Sequence, residues 1–297
     1  MTIFTTWAAF FTEYPAIWLG FALILGLLIG SFLNVVIHRL PLMMQAEWHR
    51  DCRELLSLSP ESVDAEKPFN LITPRSACPH CQTPIKAWQN VPIVSWIVLR
   101  GKCARCGHGI SIQYPLVELL SGTLTLVAAW QLGVTATTLA VWMLGWILIA
   151  AAIIDLKTTL LPDILTQPLL WLGLLLALFG VGTSLSLKDA VIGAMAGYLV
   201  LWSVYWLFKL ATGRDGMGYG DFKLLAALGA WLGWQQLPLV LLLSAGVGAV
   251  IGIGMILFLK HDKRIPIPFG PYLASAGLLA YYLGTPIVNL YLGTHRF

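Results

Sequence analysis

Charge is what this sequence has least of. Asp, Glu, Lys and Arg make up 11% of its 297 residues, against about 25% in a soluble globular domain. That deficit excludes a surface built to be covered by water. No Lys or Arg occurs before Arg39, which argues against a cleavable secretory signal, since such signals open on a positive stretch. A Rossmann-type glycine fingerprint is missing. So is any basic stripe with interleaved aromatics, so nucleic acid is not an expected partner. No solenoid repeat or low-complexity tract interrupts the chain.

What is there is apolar, at 58% of residues. Runs of about 20 apolar residues each suffice to cross a bilayer as a helix. They predict an all-α polytopic membrane protein with eight transmembrane helices, at 16–37, 114–132, 136–154, 162–182, 189–210, 221–235, 237–259 and 269–291. The lipid bilayer is therefore a partner, and the 13 Trp and 9 Tyr suit interfacial anchoring. The first run ends in His38-Arg39 and reads as a retained helix. In it, "GLLIG" (26–30) is a small-xxx-small pattern for close helix packing, internal or with a partner.

One polar segment, 38–113, holds nine Lys or Arg and all five cysteines. It reads as an extramembrane domain inserted after helix one, between an N-terminal part (1–37) and a seven-helix membrane domain (114–297). Placing it in the cytoplasm, together with 155–161, 211–220, 260–268 and the basic helix ends Lys209 and Lys223, gathers 16 of the 18 Lys and Arg on that side. Only Lys188 and Arg296 fall outside, as the positive-inside rule requires. The same count retains the short segment 221–235. Without it, "KHDKR" (260–264) would lie across the membrane from Lys209, Arg214 and Lys223. The stretch 42–70 carries no readable motif; it is an amphipathic interfacial helix or a variable linker.

"CPHC" (78–81) and "CARC" (103–106) form C-x2-C-x21-C-x2-C, the spacing of two knuckles that present four thiolates to structural zinc. A reducing cytoplasm disfavours disulfides; iron or a bare dithiol remain alternatives. Cys78, Cys81, Cys103 and Cys106 are thus the candidate metal ligands. His80 and His108 lie beside them as possible substitutes or plain surface residues, and Cys52 is a free thiol. Four thiolates leave no open position for water, so the metal's task is structural.

Acidic residues at membrane depth are costly and default to function. Five qualify: Glu118, Asp155, Asp163, Asp215 and Asp221. Asp155 ends the third helix after "ILIAAAII", and Asp221 opens the sixth behind Gly216, Gly218 and Gly220. Both are expected at the cytoplasmic interface. Two carboxylates at one site cannot both ionise easily. One then takes a proton from water while the other donates to a scissile carbonyl oxygen, which is aspartic proteolysis. Glycines before Asp221 leave room for a sharp turn and an extended peptide. The plainer readings are a cap at Asp221, a pair between Asp155 and Lys157 or Lys223, a cap at Asp163, a turn at Asp215, and a bundle-facing or loop-binding Glu118. A proton-coupled transporter and a non-catalytic, zinc-stabilised assembly subunit stay open beside the protease.

Five stretches, in order, resemble the type 4 prepilin peptidase family of bifunctional leader peptidases and N-methyltransferases. They are "GSFLNVVIHRLP" (30–41), "CPHCQTPIKAWQNVPIVSWIVLRGKCARCGHGISIQYPLVELLSG" (78–122), "DLKTTLLPD" (155–163), "GYGDFKLLAALGAWLG" (218–233) and "IPFGPYLA" (267–274). The resemblance implies that Asp155 and Asp221 are the catalytic pair of a GxGD-type aspartic protease. It implies type IV prepilins or type II secretion pseudopilins as substrates, each with a short basic leader cut after its glycine. The new N-terminal residue is then methylated from S-adenosylmethionine, at the cytoplasmic face of a bacterial inner membrane. No residue is assigned to the methyl donor; the cytoplasmic loop, with the basic "RGKCARC" (100–106), is the candidate region.

Overall fold

The computed structural model describes residues 2–57, 69–182, 185–258 and 267–292. Among these residues it contains helices and no strands, only two isolated β-bridges. The chain divides into two compact units, Met1–Thr135 and Ala136–Phe297.

The first unit opens with α1 (Thr2–Glu13), a helix the hydropathy pattern did not single out, and α2 (Pro15–Leu55). Pro15 starts α2 where its missing N–H costs nothing. The helix does not stop at residue 37. It runs through Pro41 and carries residues 42–55 as its own extension. Interior proline usually kinks or breaks a helix, yet Arg39, two residues earlier, is buried and binds the carbonyls of Asn70 (2.8 Å) and Pro74 (2.6 Å). Residues 58–68, which include part of the 42–70 stretch, lie outside the described residues.

A 3-10 turn (Ala87–Asn90), α3 (Val94–Val98) and α4 (Gln113–Leu132) complete the unit. The small residues of "GLLIG" are used internally, against α4. A Cβ at Gly26 would fall 2.8 Å from the Gly122 Cα, and Ser121 Oγ donates to the Gly26 carbonyl at 2.7 Å. Helix backbones this close are a recurring membrane solution, because lipid gives apolar side chains no reason to associate.

The second unit holds α5 (Ala136–Thr158), α6 (Asp163–Phe179), α7 (Leu187–Thr212), α8 (Tyr219–Leu232), a 3-10 turn (Trp234–Gln236), α9 (Leu237–Phe258) and α10 (Gly270–Leu292). Each of the eight apolar runs therefore falls on a helix. Among the described residues, five helical segments are long and apolar enough to span a membrane: Pro15–Leu55, Gln113–Leu132, Ala136–Thr158, Leu187–Thr212 and Trp234–Met255.

The short run at 221–235 has a physical explanation. At 14 residues, α8 is about 21 Å long, less than the roughly 30 Å of a hydrocarbon core. It does not need to face lipid. Phe222, Leu224, Leu225, Ala227 and Ala230 are 1% exposed or less, with α6 and α7 against it. The apolar side chains left exposed, such as Trp171, Leu207 and Leu242, are on the surrounding helices, as lipid contact requires.

Candidate active site and metal centre

Asp155 sits in the last turn of α5, which ends as Thr159 adopts φ +53°. Asp221 is the third residue of α8. The two carboxylates are 4% and 6% exposed, and Leu161 lies beside both Gly270, which contacts Asp155, and Gly220, which precedes Asp221. Sequence spacing separated them by a helix pair; the fold of the second unit brings them to one site.

Their surroundings differ. Asp155 Oδ2 accepts the backbone N–H of Gly270, the first residue of α10, at 2.9 Å. A carboxylate at a helix N-terminus also meets the positive end of the helix dipole. Asp221 Oδ1 is buried with no hydrogen-bond partner among the described residues. Asp221 is not the cap residue itself: that position is Gly218, which makes no side-chain cap bond, and Asp221 is the third residue of the helix.

Two glycines and one leucine shape the space beside the pair. A Cβ at Gly270 would fall 2.7 Å from Asp155 Oδ2 and 3.1 Å from Leu161 Cδ1. A Cβ at Gly220 would fall 2.5 Å from Leu161 Cβ. Gly220 was legible as part of a glycine-rich turn. Gly270 and Leu161 were not singled out, although the Gly-Pro step in "IPFGPYLA" marks a helix start at which a free N–H points outward.

The other acidic candidates are placed elsewhere. Asp163 is not a cap, since Pro162 holds that position; instead both its oxygens accept from Lys223 Nζ at 2.7 Å. That contact takes Lys223 away from Asp155. Asp215 accepts from Tyr205 and Lys209. Glu118, in the first unit, is buried and accepts the Ile93 N–H at 2.7 Å, where Ile93 adopts φ +61°. It therefore holds down a strained turn.

The cysteines form two copies of one local structure. Cys78 N–H donates to Thr83 O and Gln82 N–H to Cys78 O; likewise Cys103 N–H donates to His108 O and Gly107 N–H to Cys103 O. Each knuckle turns through a residue with positive φ, Gln82 or Gly107. The four Sγ atoms lie within 4.8 Å of one another, with Cys78 and Cys106 at 3.8 Å. Tetrahedral zinc at about 2.3 Å from each sulfur sets sulfurs about 3.8 Å apart, so the cluster fits that ion. Thr83 holds the Cys81 thiol down to about 6, toward the thiolate a metal needs. His80 and His108 stack on one another at 4.8 Å. Cys52, exposed on the α2 extension, is outside the cluster. Arg105 donates to Thr83 and so crosses from one knuckle to the other.

Residues 24–132 match the bacterial peptidase A24 N-terminal domain, and residues 142–253 match the type IV leader peptidase family. Three relatives carry the name prepilin leader peptidase/N-methyltransferase. The one from Aeromonas hydrophila is 58% identical over 277 residues, covering 93% of this chain and 94% of its own. The Stutzerimonas stutzeri protein is 54% identical, with coverages of 95% and 96%. The Pseudomonas aeruginosa protein is 50% identical at the same coverages. No solved structure matches the chain. With both of its parts matched and at least half its residues identical to these relatives over nearly their full length, the chain belongs to the type IV leader peptidase family.

Proposed function

We propose that this protein removes the leader peptide from prepilins by aspartic proteolysis and then N-methylates the new N-terminus. The observation that carries the reading is the buried pair Asp155 and Asp221, one bonded to a backbone N–H and the other with an oxygen left open. Asp155 is the member that takes a proton from the attacking water. Asp221 carries the proton given to the scissile carbonyl oxygen. Water's oxygen bonds to the carbonyl carbon; as the C–N bond breaks, the leaving amine takes the proton that Asp155 received, and the carboxyl group that forms returns a proton to Asp221. The freed amine would then take the methyl group of S-adenosylmethionine, releasing S-adenosylhomocysteine and a proton.

Substrates include pseudopilins of type II secretion, and the site faces the cytoplasm from a bacterial inner membrane, since the basic segments are grouped on that side. Cys78, Cys81, Cys103 and Cys106 would hold zinc, whose contribution is to brace their two knuckles. A proton-coupled transporter would need its carboxylates along a path through the membrane; here both lie at helix ends.

The test is to incubate the purified protein with a prepilin and S-adenosylmethionine and weigh the N-terminal peptide. The expected product is shortened and one methyl group heavier than the plain mature peptide. An intact precursor would contradict the whole proposal, and a shortened, unmethylated product would remove its second half.

A further inference from the structure

The loop that delivers the chain into α8 runs from Gly213 to Gly218 and contains three glycines, Gly213, Gly216 and Gly218. Glycine has the most conformational freedom to lose, and ordering each backbone residue costs about 1–2 kcal/mol. Such a loop does not hold Asp221, three residues beyond it, at a fixed place without help.

Beyond the packing of α8 against α6 and α7, help comes from the end of α7. Tyr205 is 3% exposed, and its hydroxyl donates to Asp215 Oδ1 at 2.6 Å. Lys209, one helical turn further on, donates to the Tyr205 hydroxyl at 3.0 Å and pairs with Asp215 Oδ1 at 2.9 Å. Three groups therefore close on one another, and Lys209 also lies over the Tyr205 and Trp206 rings at 5.4 and 5.6 Å. Lys209 and Tyr205 hold Asp215 below the usual carboxylate range, so it stays charged. Beside this contact, a Cβ at Gly216 would fall 2.7 Å from the Phe208 ring, so the loop lies directly on α7.

The contact continues into α8. The Tyr205 ring meets Tyr219 at 5.3 Å and Phe222 at 5.7 Å. Those two residues bracket Gly220 and Asp221, and they also meet one another at 5.3 Å. Tyr205 thus holds the loop through its hydroxyl and the first turn of α8 through its ring.

We propose that Tyr205, Lys209 and Asp215 form a clip that fixes the Gly213–Gly218 loop and thereby the position of Asp221, making them positioning residues for peptide cleavage. This rests on the reading of Asp221 as catalytic. A solvated pair such as Lys209 and Asp215 adds little to overall stability, so the clip's effect is on placement. Misplacing a reacting group by about 1 Å can cost around a hundredfold in rate.

The experiment uses the full chain in detergent with a prepilin substrate. It compares wild type with Asp215→Asn, Lys209→Met, Tyr205→Phe and the charge-reversed double variant Lys209→Glu/Asp215→Lys. For each, kcat, KM and the rate of tryptic cutting after the exposed Arg214 are measured. The single variants are expected to lose about tenfold in kcat, with KM within about twofold, and to be cut faster at Arg214. Tyr205→Phe keeps the ring packing and removes only the hydroxyl, so it reports on the clip without disturbing the core. The charge-reversed variant is expected to recover most of the kcat and the resistance at Arg214. Wild-type kcat in the single variants, a lower kcat without faster cutting at Arg214, or a charge-reversed variant as slow as the singles would each overturn the proposal. An active Asp221→Asn enzyme would overturn it through the reading it rests on. That case is distinguishable, because the single variants would still be cut faster at Arg214.

Discussion

At the scale of single residues, the site depends on what stands next to each carboxylate. Asp155 has a donor, the Gly270 N–H, and Asp221 Oδ1 has none among the described residues. Under the proposed mechanism, that inequality suits two acids of the same kind to opposite roles. It also gives Gly270 a defined duty. Gly270→Ala would place a methyl group 2.7 Å from Asp155 Oδ2, and we predict a fall of about tenfold to a hundredfold in kcat with little change in thermal stability. Kinetics on the purified variant check this. The Asp163–Lys223 pair is different. Its side chains are 58% and 30% exposed, so Asp163→Asn should cost less than about 1 kcal/mol of stability, as a denaturation series would show. Asp155 and Asp221 stood out in the sequence because a carboxylate at membrane depth needs a reason. The Gly270 contact was not, since no local pattern says which carboxylate a helix N-terminus will meet 115 residues away.

At the scale of elements, α8 is the one on which the site depends, and it is held by close backbone approach. Gly193 of α7 faces Gly229 of α8, and a Cβ at Gly197 would fall 2.5 Å from the Leu225 carbonyl oxygen. Gly229→Val should therefore overpack the α7–α8 contact and destabilise the second unit by about 1–3 kcal/mol. The check is a lower unfolding midpoint in detergent, with the first unit's metal content unchanged. Hydropathy marked every helix of this unit, because lipid-length apolar runs are a strong signal. It was weaker at both ends of the first unit's long helix. Residues 42–55 left a helix and a variable linker both open in the sequence; they are helical and continue α2, carried past Pro41 in one unbroken element. The aromatic stretch of α1 is too short to register as a membrane run.

At the scale of the whole molecule, the chain combines two units with different sources of order. The membrane helices pack through small residues and buried apolar side chains. The knuckle region is small, with Cys78 the only buried cysteine of its four, and a segment of that size gains most from a metal clamp. Elemental analysis of the purified protein should find one zinc per chain, and Cys78→Ser or Cys103→Ser should lose most of it. The spacing of the two CxxC pairs made this cluster readable in advance. The matched turns at Gln82 and Gly107 were not readable, because only one of them uses the glycine that positive φ favours.

The most direct test of the account is to substitute the pair itself. Asp155→Asn and Asp221→Asn would each be expressed with a prepilin, and the mature N-terminal peptide weighed alongside a check that each variant is folded in the membrane. The account predicts intact precursor in both, with cleavage reduced by at least about a thousandfold, since each acid performs a step the other cannot. A folded variant of either kind that still produces the shortened peptide would contradict the paired-carboxylate mechanism.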